Sequence, residues 1–228
     1  RLKNVLSISA SGHKFGESCI GTGWVVWRQR ENLSDHVAIS VSYLGGMGES
    51  YNLNFSRPAS GIYVQYYKFL RYGISGYQKI CDHMMTHAQK IREGLGKMKF
   101  EGKSRFIILD DGDKNCLPVV TAMLNPECNF EYDDIDLQHA ISEHNWYVSG
   151  YKMNFEDPIT KQDKPIFTDQ DSSKSMFRIV VKNNINSVMV DNLIDSFRKT
   201  LELLDSIEFK NKSNKGMHRK KNLFSKHC

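Results

Sequence analysis

The chain has 228 residues, of which 40% are hydrophobic and 25% charged, as is ordinary for a globular protein with one large domain or two small ones. No apolar run approaches the roughly 20 residues that a membrane-spanning helix needs, and no signal-peptide pattern follows Arg1 and Lys3, so we expect neither a membrane protein nor a secreted one. Because the first residue is Arg rather than Met, we expect a processed or incomplete polypeptide.

The net charge of +5 is concentrated at the C-terminus. Residues 209–228 hold seven basic residues and no acidic one, and removing these from the 31 basic residues of the chain leaves 24 against 26 acidic residues. A nucleic-acid-binding protein is expected to carry its basic residues on folded elements. The sequence therefore predicts a nearly neutral body, no nucleic-acid partner and a flexible basic tail.

The cysteines give no sign of a metal site or of a disulfide framework. There are five, widely and irregularly spaced, and no CxxC pair occurs. We therefore expect reduced thiols, no bound metal and a cytoplasmic location.

The first eighty residues read as two strands, a polar stretch and two helices. Apolar runs at 5–10 and 23–27 predict strands on either side of a glycine-containing loop. A run of small and β-branched residues follows at 36–43. Helical spacing begins after Pro58, is interrupted at Tyr72-Gly73, and resumes over about 76–94.

The second half predicts a small α+β unit, because strands and helices follow each other in the order strand, strand, helix, strand, strand, helix. Asp134 is the expected N-cap of the first of these helices, and residues 154–174 are polar and read as a loop. We place domains at 1–84, 85–208 and 209–228, the last being the tail. The predicted strands are 105–109, 118–124, 146–151 and 175–181, and the predicted helices are 134–144 and 187–207.

The segment Ser9-Ala10-Ser11-Gly12-His13-Lys14-Phe15-Gly16 carries the most specific chemistry in the chain. Its two glycines allow a tight turn and a close approach to a ligand. If the loop lies in a cleft, desolvation would lower the pKa of Lys14 and expose the neutral amine that Schiff-base chemistry requires. Taken alone, a lysine between glycines is more often a solvated charge.

This segment resembles the cofactor loop of glutamate decarboxylases, which use pyridoxal phosphate. The resemblance continues, in order, through five further segments and is thinner beyond residue 100. It implies an α/β fold, the pyridoxal-phosphate-dependent transferase fold (fold type I), with the C-terminal part of the large domain followed by a small α+β domain. It also implies decarboxylation of L-glutamate to γ-aminobutyrate and CO2. The further segments are 21–28, 43–46, 54–58, 65–67 and 76–77.

The resemblance assigns roles to five residues. Lys14 matches the Schiff-base lysine, and Ser11 and His13 match residues at the cofactor phosphate. Ser56 matches a serine that reaches the phosphate of a neighbouring subunit, which implies a homodimer or higher oligomer with shared sites. Arg178 matches the arginine that binds the substrate α-carboxylate, a task suited to guanidinium geometry.

Each assignment has a plainer alternative in the residues themselves. His13 and Ser11 would then be loop residues bonded to nearby backbone, and Ser56 would cap the helix that follows Pro58. Arg178 lies in an apolar strand and needs a partner, so it would be an ion-paired arginine on the solvent face.

The tail has three candidate roles. His227 matches a penultimate histidine that closes the active site in some bacterial members. Apolar Met217, Leu223 and Phe224 among basic residues meet the general requirement for a calmodulin-binding helix, as in plant members. A solvated, disordered tail is the plainest reading.

The motifs that the family carries ahead of the lysine loop are not in this chain, among them the aspartate at the pyridine nitrogen. We therefore expect the chain to be incomplete as an enzyme and, if the native polypeptide begins near Arg1, not to decarboxylate glutamate on its own. Two alternatives stay open. One is a related pyridoxal-phosphate-dependent decarboxylase or lyase with another substrate. The other is a truncated, non-catalytic fragment that acts only as a binding or dimerisation partner.

Overall fold

The computed structural model describes residues 2–37, 39–41, 48–51, 56–110, 112, 116–165 and 174–207. These residues belong to two compact units, Arg1–Lys79 and Ile80–Cys228. The predictions for the tail, including the roles of His227 and of the apolar residues around it, lie outside the described residues.

The first unit is built on an antiparallel hairpin. Strands β1 (Ser7–Ser11) and β2 (Gly23–Trp27) pair so that Ser7 lies opposite Trp27 and Ser11 opposite Gly23. A second hairpin pairs β3 (Ile39–Val41) with β4 (Gly48–Ser50). The two strands predicted around the lysine are confirmed.

Helix α1 (Ser60–Gly96) begins in the first unit and ends in the second. Its backbone leaves helical geometry at Gly73, where φ is 56° and ψ is −169°. A residue with a Cβ is strained at this φ, so glycine is required there. The predicted break at Tyr72-Gly73, with helix before and after it, is confirmed.

The described residues of the first unit form almost no apolar core. In the hairpin, Ile8 and its cross-strand neighbour Val26 are 62% and 58% exposed, and Val25, Trp24 and Trp27 are also exposed. Neighbouring strand residues point to opposite faces, so both faces of the hairpin are open. Within the described residues of this unit, the buried positions are Gly12, Gly16, Gly61 and Gln65.

The second unit has a closed core between a sheet and helices. Its sheet has four antiparallel strands, in the spatial order Phe106–Ile108, Val119–Leu124, Ser175–Val180 and Ser149–Lys152. Buried residues of α1 and of two later helices form one cluster with this sheet. Phe106, Phe177 and Phe197 meet at its centre, with ring centroids 5.4–6.1 Å apart. The predicted strand and helix order is confirmed. The bounds are Phe106–Ile108 (β7), Val119–Leu124 (β8), Asp134–Ser142 (α2), Ser149–Lys152 (β9), Ser175–Val180 (β12) and Ser187–Ser206 (α3).

Two small hairpins occur where no strand was predicted. One pairs β5 (Lys99–Phe100) with β6 (Lys103–Ser104). The other pairs β10 (Asn154–Glu156) with β11 (Asp163–Pro165), so the prediction of a loop over 154–174 is wrong for these residues. The turn between the latter strands forms because the Asp157 carboxylate accepts hydrogen bonds from two backbone amides, at Ile159 and Thr160, and is paired with Lys164.

The predicted N-cap of α2 is wrong by one residue. Asp133 caps the helix, because its carboxylate accepts from the amides of Ile135 and Asp136. Asp134 points inward and accepts from the Leu124 amide at 2.9 Å and from the Ser175 hydroxyl at 2.7 Å. Burial is the main cause that raises the pKa of Asp134 from 3.8 to about 6.

A partly buried ion pair ties the C-terminal end of α3 to the start of β7. Arg105 donates to both carboxylate oxygens of Asp205 at 2.7 and 3.0 Å, and the Tyr132 hydroxyl donates to the same carboxylate at 2.6 Å. The Arg105 guanidinium also lies 4.8 Å from the ring centroid of Phe100 and 5.2 Å from that of Phe130. Because both its N–H groups and its planar faces have partners, this guanidinium is held in one orientation at the edge of the core.

Removing the charge of Asp205 is expected to destabilise the second unit. Asp205→Asn leaves the Arg105 guanidinium buried without its carboxylate, at a cost of about 3 kcal/mol, the low end for a broken buried pair because Asp205 is 28% exposed. Amide hydrogen exchange of β8 measures this. Asp195→Asn is the matched control on α3, since Asp195 pairs with Lys199 in the open, and a loss as large as that of Asp205→Asn would contradict the assignment.

The raised pKa of Asp134 predicts a pH-dependent stability. The folded protein holds this proton more tightly than the unfolded chain, so the contribution of Asp134 is full below its ordinary pKa of 3.8 and is lost as the pH rises through about 6. Asp134→Asn keeps an acceptor for Leu124 but cannot ionise. Between pH 4 and 7 the free energy of unfolding of Asp134→Asn should therefore rise by on the order of 3 kcal/mol relative to that of the parent chain. A pH-independent difference in β8 exchange protection would contradict this.

Candidate active site

The loop of residues 12–22, which we call the lysine loop, joins β1 to β2 and is closed by its own backbone. The Thr22 carbonyl accepts from the amides of Gly12 at 2.8 Å and His13 at 3.3 Å, and the Gly12 carbonyl accepts from the Ser18 amide at 2.9 Å. The Lys14 amide donates to the Ser11 carbonyl at 3.3 Å. The backbone beside Lys14 is therefore held on both sides.

The Lys14 side chain is exposed. No hydrogen bond or ion pair joins its amine to another residue within the described part of the chain. An aldehyde can therefore reach this amine, as Schiff-base chemistry requires. The side chains described in the first unit do not enclose it in the cleft that the sequence led us to consider.

His13 is half-buried, and its ring is oriented by the loop. Its Nδ1 lies 3.2 Å from the Thr22 carbonyl oxygen, and since a carbonyl only accepts, Nδ1 carries the proton of this bond. The other ring nitrogen, Nε2, is left for a ligand. The plainer alternative, a loop histidine bonded to the backbone, accounts for Nδ1 and is compatible with a role of Nε2 in binding.

Both candidate phosphate serines are exposed, at Ser11 and Ser56. The Ser11 backbone belongs to β1, which fixes its position next to the lysine loop. Ser56 is not the helix N-cap, because α1 begins at Ser60 and the amides of Ile62 and Tyr63 donate to the Ala59 carbonyl. That alternative for Ser56 is wrong, and the proposed phosphate contact remains a prediction.

Helix α1 anchors the lysine loop through polar side chains. The Gly16 carbonyl accepts from Gln65 Nε2 at 3.0 Å and from the Tyr77 hydroxyl at 3.4 Å. Lys68 pairs with Glu17 at 3.1 Å, and the two hydrogen bonds of its amine, first to Tyr72 and then to Glu17, raise the pKa of Lys68. Burial raises the pKa of Tyr77, so its hydroxyl stays a donor at neutral pH.

The glycines at 12 and 16 are needed for close packing rather than for a left-handed turn. Neither has a positive φ, whereas Gly21 does, at 87°, as the predicted second bend requires. A Cβ at Gly12 or Gly16 would lie 2.7 or 2.4 Å from Gln65 Oε1, distances that real Cβ contacts do not show. The tight turn predicted at residues 12–16 is confirmed, and the two glycines in it lie against Gln65.

Sequence reasoning missed the anchoring residues, although a signal was present. The Gly61 carbonyl also accepts from the Ser18 hydroxyl of the loop. Gly61, Gln65, Lys68 and Tyr72 recur at intervals of four, three and four, which places them on one face of a helix. A glycine and a glutamine in a helix segment rich in aromatic and apolar residues mark the face that meets another backbone closely.

Arg178 lies on β12 in the second unit, with its side chain exposed between the buried Phe177 and Ile179. Its Nη2 donates to the Tyr151 hydroxyl at 2.8 Å, and its guanidinium carbon lies 5.3 Å from the Tyr151 ring centroid. The partner that the sequence required is thus an aromatic hydroxyl. Within the described residues no carboxylate pairs with Arg178, so its remaining donors can bind one.

Comparison with known proteins decides the family. Residues 1–123, more than half of the chain, match the sequence model described as the pyridoxal-dependent decarboxylase conserved domain. The chain belongs to this family. It is also 34% identical over 207 residues to a glutamate decarboxylase of Lactococcus lactis, covering 90% of the chain and 40% of that protein.

Solved structures confirm the fold predicted from the resemblance. A glutamate decarboxylase of Lactobacillus brevis superposes with a TM-score of 0.73 at 31% identity, over 92% of this chain and 43% of that one. A sphingosine-1-phosphate lyase of Burkholderia pseudomallei, at 17% identity and a TM-score of 0.62, shows the same fold. The chain spans about two fifths of the length of the relatives it matches.

The residues of the lysine loop fit the cofactor of this family, pyridoxal phosphate. An accessible primary amine at Lys14 suits the aldehyde, and the Ser11 hydroxyl and the His13 ring nitrogen are small polar groups that suit a phosphate. No helix within the described ranges is long and apolar enough to cross a membrane.

Proposed function

We propose that this chain supplies the cofactor-binding lysine and the carboxylate-binding arginine of a glutamate decarboxylase, which converts L-glutamate to γ-aminobutyrate and CO2. The observation that carries the proposal is the accessible amine of Lys14 on a backbone fixed from two sides, within residues 1–123 that match the family. The relatives at 34% and 31% identity that carry the name glutamate decarboxylase support this substrate over another amino acid.

The residues of the first unit would bind and orient the cofactor. Lys14 holds it through Nζ, while Ser11 and His13 Nε2 bind its phosphate, and Ser56 binds the phosphate of a second subunit. When bound, pyridoxal phosphate accepts into its ring the electron pair left on Cα by the loss of CO2. The fixed backbone on both sides of Lys14 limits the directions from which its amine can approach.

Arg178 would bind the α-carboxylate of the substrate. The Tyr151 contacts hold one edge and one face of the guanidinium, which leaves a planar pair of donors for two carboxylate oxygens. Such a bond orients the carboxylate that is lost relative to the rest of the substrate.

A homodimer or higher oligomer is part of the proposal. The hairpin exposes apolar side chains on both faces, and α1 exposes Tyr63, Tyr66 and Tyr67, so that a partner surface could bury many apolar and aromatic groups. The same surface is what a purely dimerising role would use, so that function is the second candidate. We propose a cytoplasmic location from the irregular cysteine spacing alone.

Pyridoxal phosphate followed by borohydride reduction is expected to label Lys14 saturably. The exposed amine reacts, and a phosphate held at Ser11 and His13 raises its occupancy above that of other surface lysines. Peptide mass spectrometry maps the label. Lys79→Ala, which removes another exposed lysine of the same unit, is the matched control for Lys14→Ala. Labelling scattered over surface lysines and unchanged in Lys14→Ala would favour the dimerising role instead.

Replacing Arg178 is expected to weaken glutamate binding. Arg178→Lys keeps the charge but loses the second, coplanar donor, so the KM for L-glutamate should rise about 10- to 100-fold, as for a lost charge-assisted hydrogen bond. The assay uses this chain co-expressed with the portion of the Lactobacillus brevis enzyme that it does not cover. Arg198→Lys, on the exposed side of α3, is the control, and an equal change in both variants would refute the role.

A further inference from the structure

Gln65 is the one long side chain that is buried in the described part of the first unit. It is 5% exposed, and the three other buried positions there are the glycines 12, 16 and 61. Large apolar side chains of the same unit, such as Ile8 and Val26, are open to solvent. Among the described residues of the first unit with a side chain, the buried one is therefore a polar amide.

The two ends of the Gln65 amide differ in their bonding. Nε2 donates to the Gly16 carbonyl at 3.0 Å, whereas Oε1 is buried with no hydrogen-bond partner within the described residues. An unpaired buried acceptor is costly, and an apolar side chain of similar size would avoid that cost. Packing alone therefore does not favour glutamine over an apolar side chain at this position. The group that glutamine has and such a side chain lacks is the donor at Nε2.

The amide sits between two backbone positions that bracket Lys14. The Cβ positions of Gly12 and Gly16 would both fall within 2.7 Å of Gln65 Oε1, so the backbone on each side of Lys14 touches this amide. The second donor to the Gly16 carbonyl, the Tyr77 hydroxyl, is longer at 3.4 Å. Among the contacts of α1 with the lysine loop, Gln65 is therefore the one that reaches the backbone on both sides of Lys14.

We propose that Gln65 is a positioning residue for Lys14, acting through its hydrogen bond to the Gly16 carbonyl. The inference deepens the proposed function and rests on it, because it assigns Gln65 to the reaction of Lys14 with an aldehyde cofactor. Gln65 does not contact the Lys14 amine. It sets the direction of the backbone from which the amine projects.

Two substitutions separate the hydrogen bond from the packing. Gln65→Leu keeps the volume and removes the donor. Gln65→Glu keeps the shape, and its carboxyl donates to the Gly16 carbonyl when protonated but repels it when ionised. Gln89→Leu and Gln89→Glu are the controls, since Gln89 lies on the same helix, is exposed, and bonds only to Glu93 in the described structure.

Borohydride trapping with pyridoxal phosphate, mapped at Lys14 over a range of pH, tests the proposal in the full 228-residue chain. Gln65→Leu is expected to lower Lys14 labelling about tenfold relative to the parent at every pH, as for one lost hydrogen bond. Gln65→Glu should show the same loss at high pH and recover toward the parent as the pH falls through the pKa of the new carboxyl. Both Gln89 variants should label as the parent does.

Three outcomes would overturn the inference. Parental labelling of Lys14 in Gln65→Leu would overturn the positioning role and leave the proposed function intact. A loss in Gln65→Glu that does not depend on pH would show that packing, not the hydrogen bond, is responsible. Absence of specific Lys14 labelling in the parent chain would overturn the proposed function, and the inference with it.

Discussion

The first unit depends on one close contact, between the backbone of the lysine loop and the face of α1 that carries Gly61 and Gln65. Elsewhere in the described part of this unit apolar side chains lie open, including both faces of the β1–β2 hairpin. Hydrogen bonds contribute about 1 kcal/mol each and exposed ion pairs less, so the polar anchors fix the geometry without supplying much stability. A surface that covered the hairpin and the tyrosines of α1 would add the apolar burial that the described residues lack, which is the physical basis of the proposed oligomer.

Helix α1 has exposed apolar residues in its first part and buried apolar residues in its second part. Before the break at Gly73, apolar residues such as Ile62 and Leu70 are exposed and the buried positions are small or polar. After it, Met84, Ile91 and Leu95 are buried at helical spacing against the second unit's sheet. The second unit therefore closes its core within the chain, and two of its buried polar side chains, Asp134 and Arg105, have the partners that such burial demands. The two units differ in what covers their apolar surface, although one helix runs through both.

The periodicity of apolar residues was enough to predict the helices and strands that have one buried face. It did not predict the elements whose geometry depends on a single side chain. The strand β8 and the helix α3 follow their apolar patterns closely. The hairpin of β10 and β11 has an exposed, polar sequence, and its turn depends on the carboxylate of Asp157, which composition assigned to a loop. The N-cap of α2 was misassigned because two adjacent aspartates satisfy the same pattern, and only the structure shows which one points inward.

Within the candidate site, the order of residues around Lys14 was enough to propose the reactive group, but not the group that we propose to orient it. A reactive amine has to stay accessible, so nothing can pack tightly on it, and its direction must be fixed by neighbours in the chain. The buried glycines 12 and 16 do this for Lys14 through Gln65. Buried Phe177 and Ile179 do the same for the exposed guanidinium of Arg178. In both places an exposed side chain with a proposed function lies between buried positions of the chain. Sequence reasoning readily finds the exposed side chain, because its chemistry is rare. The buried support uses common residues, a glutamine and two glycines in one case and two apolar side chains in the other, whose role becomes visible only when their contacts are known.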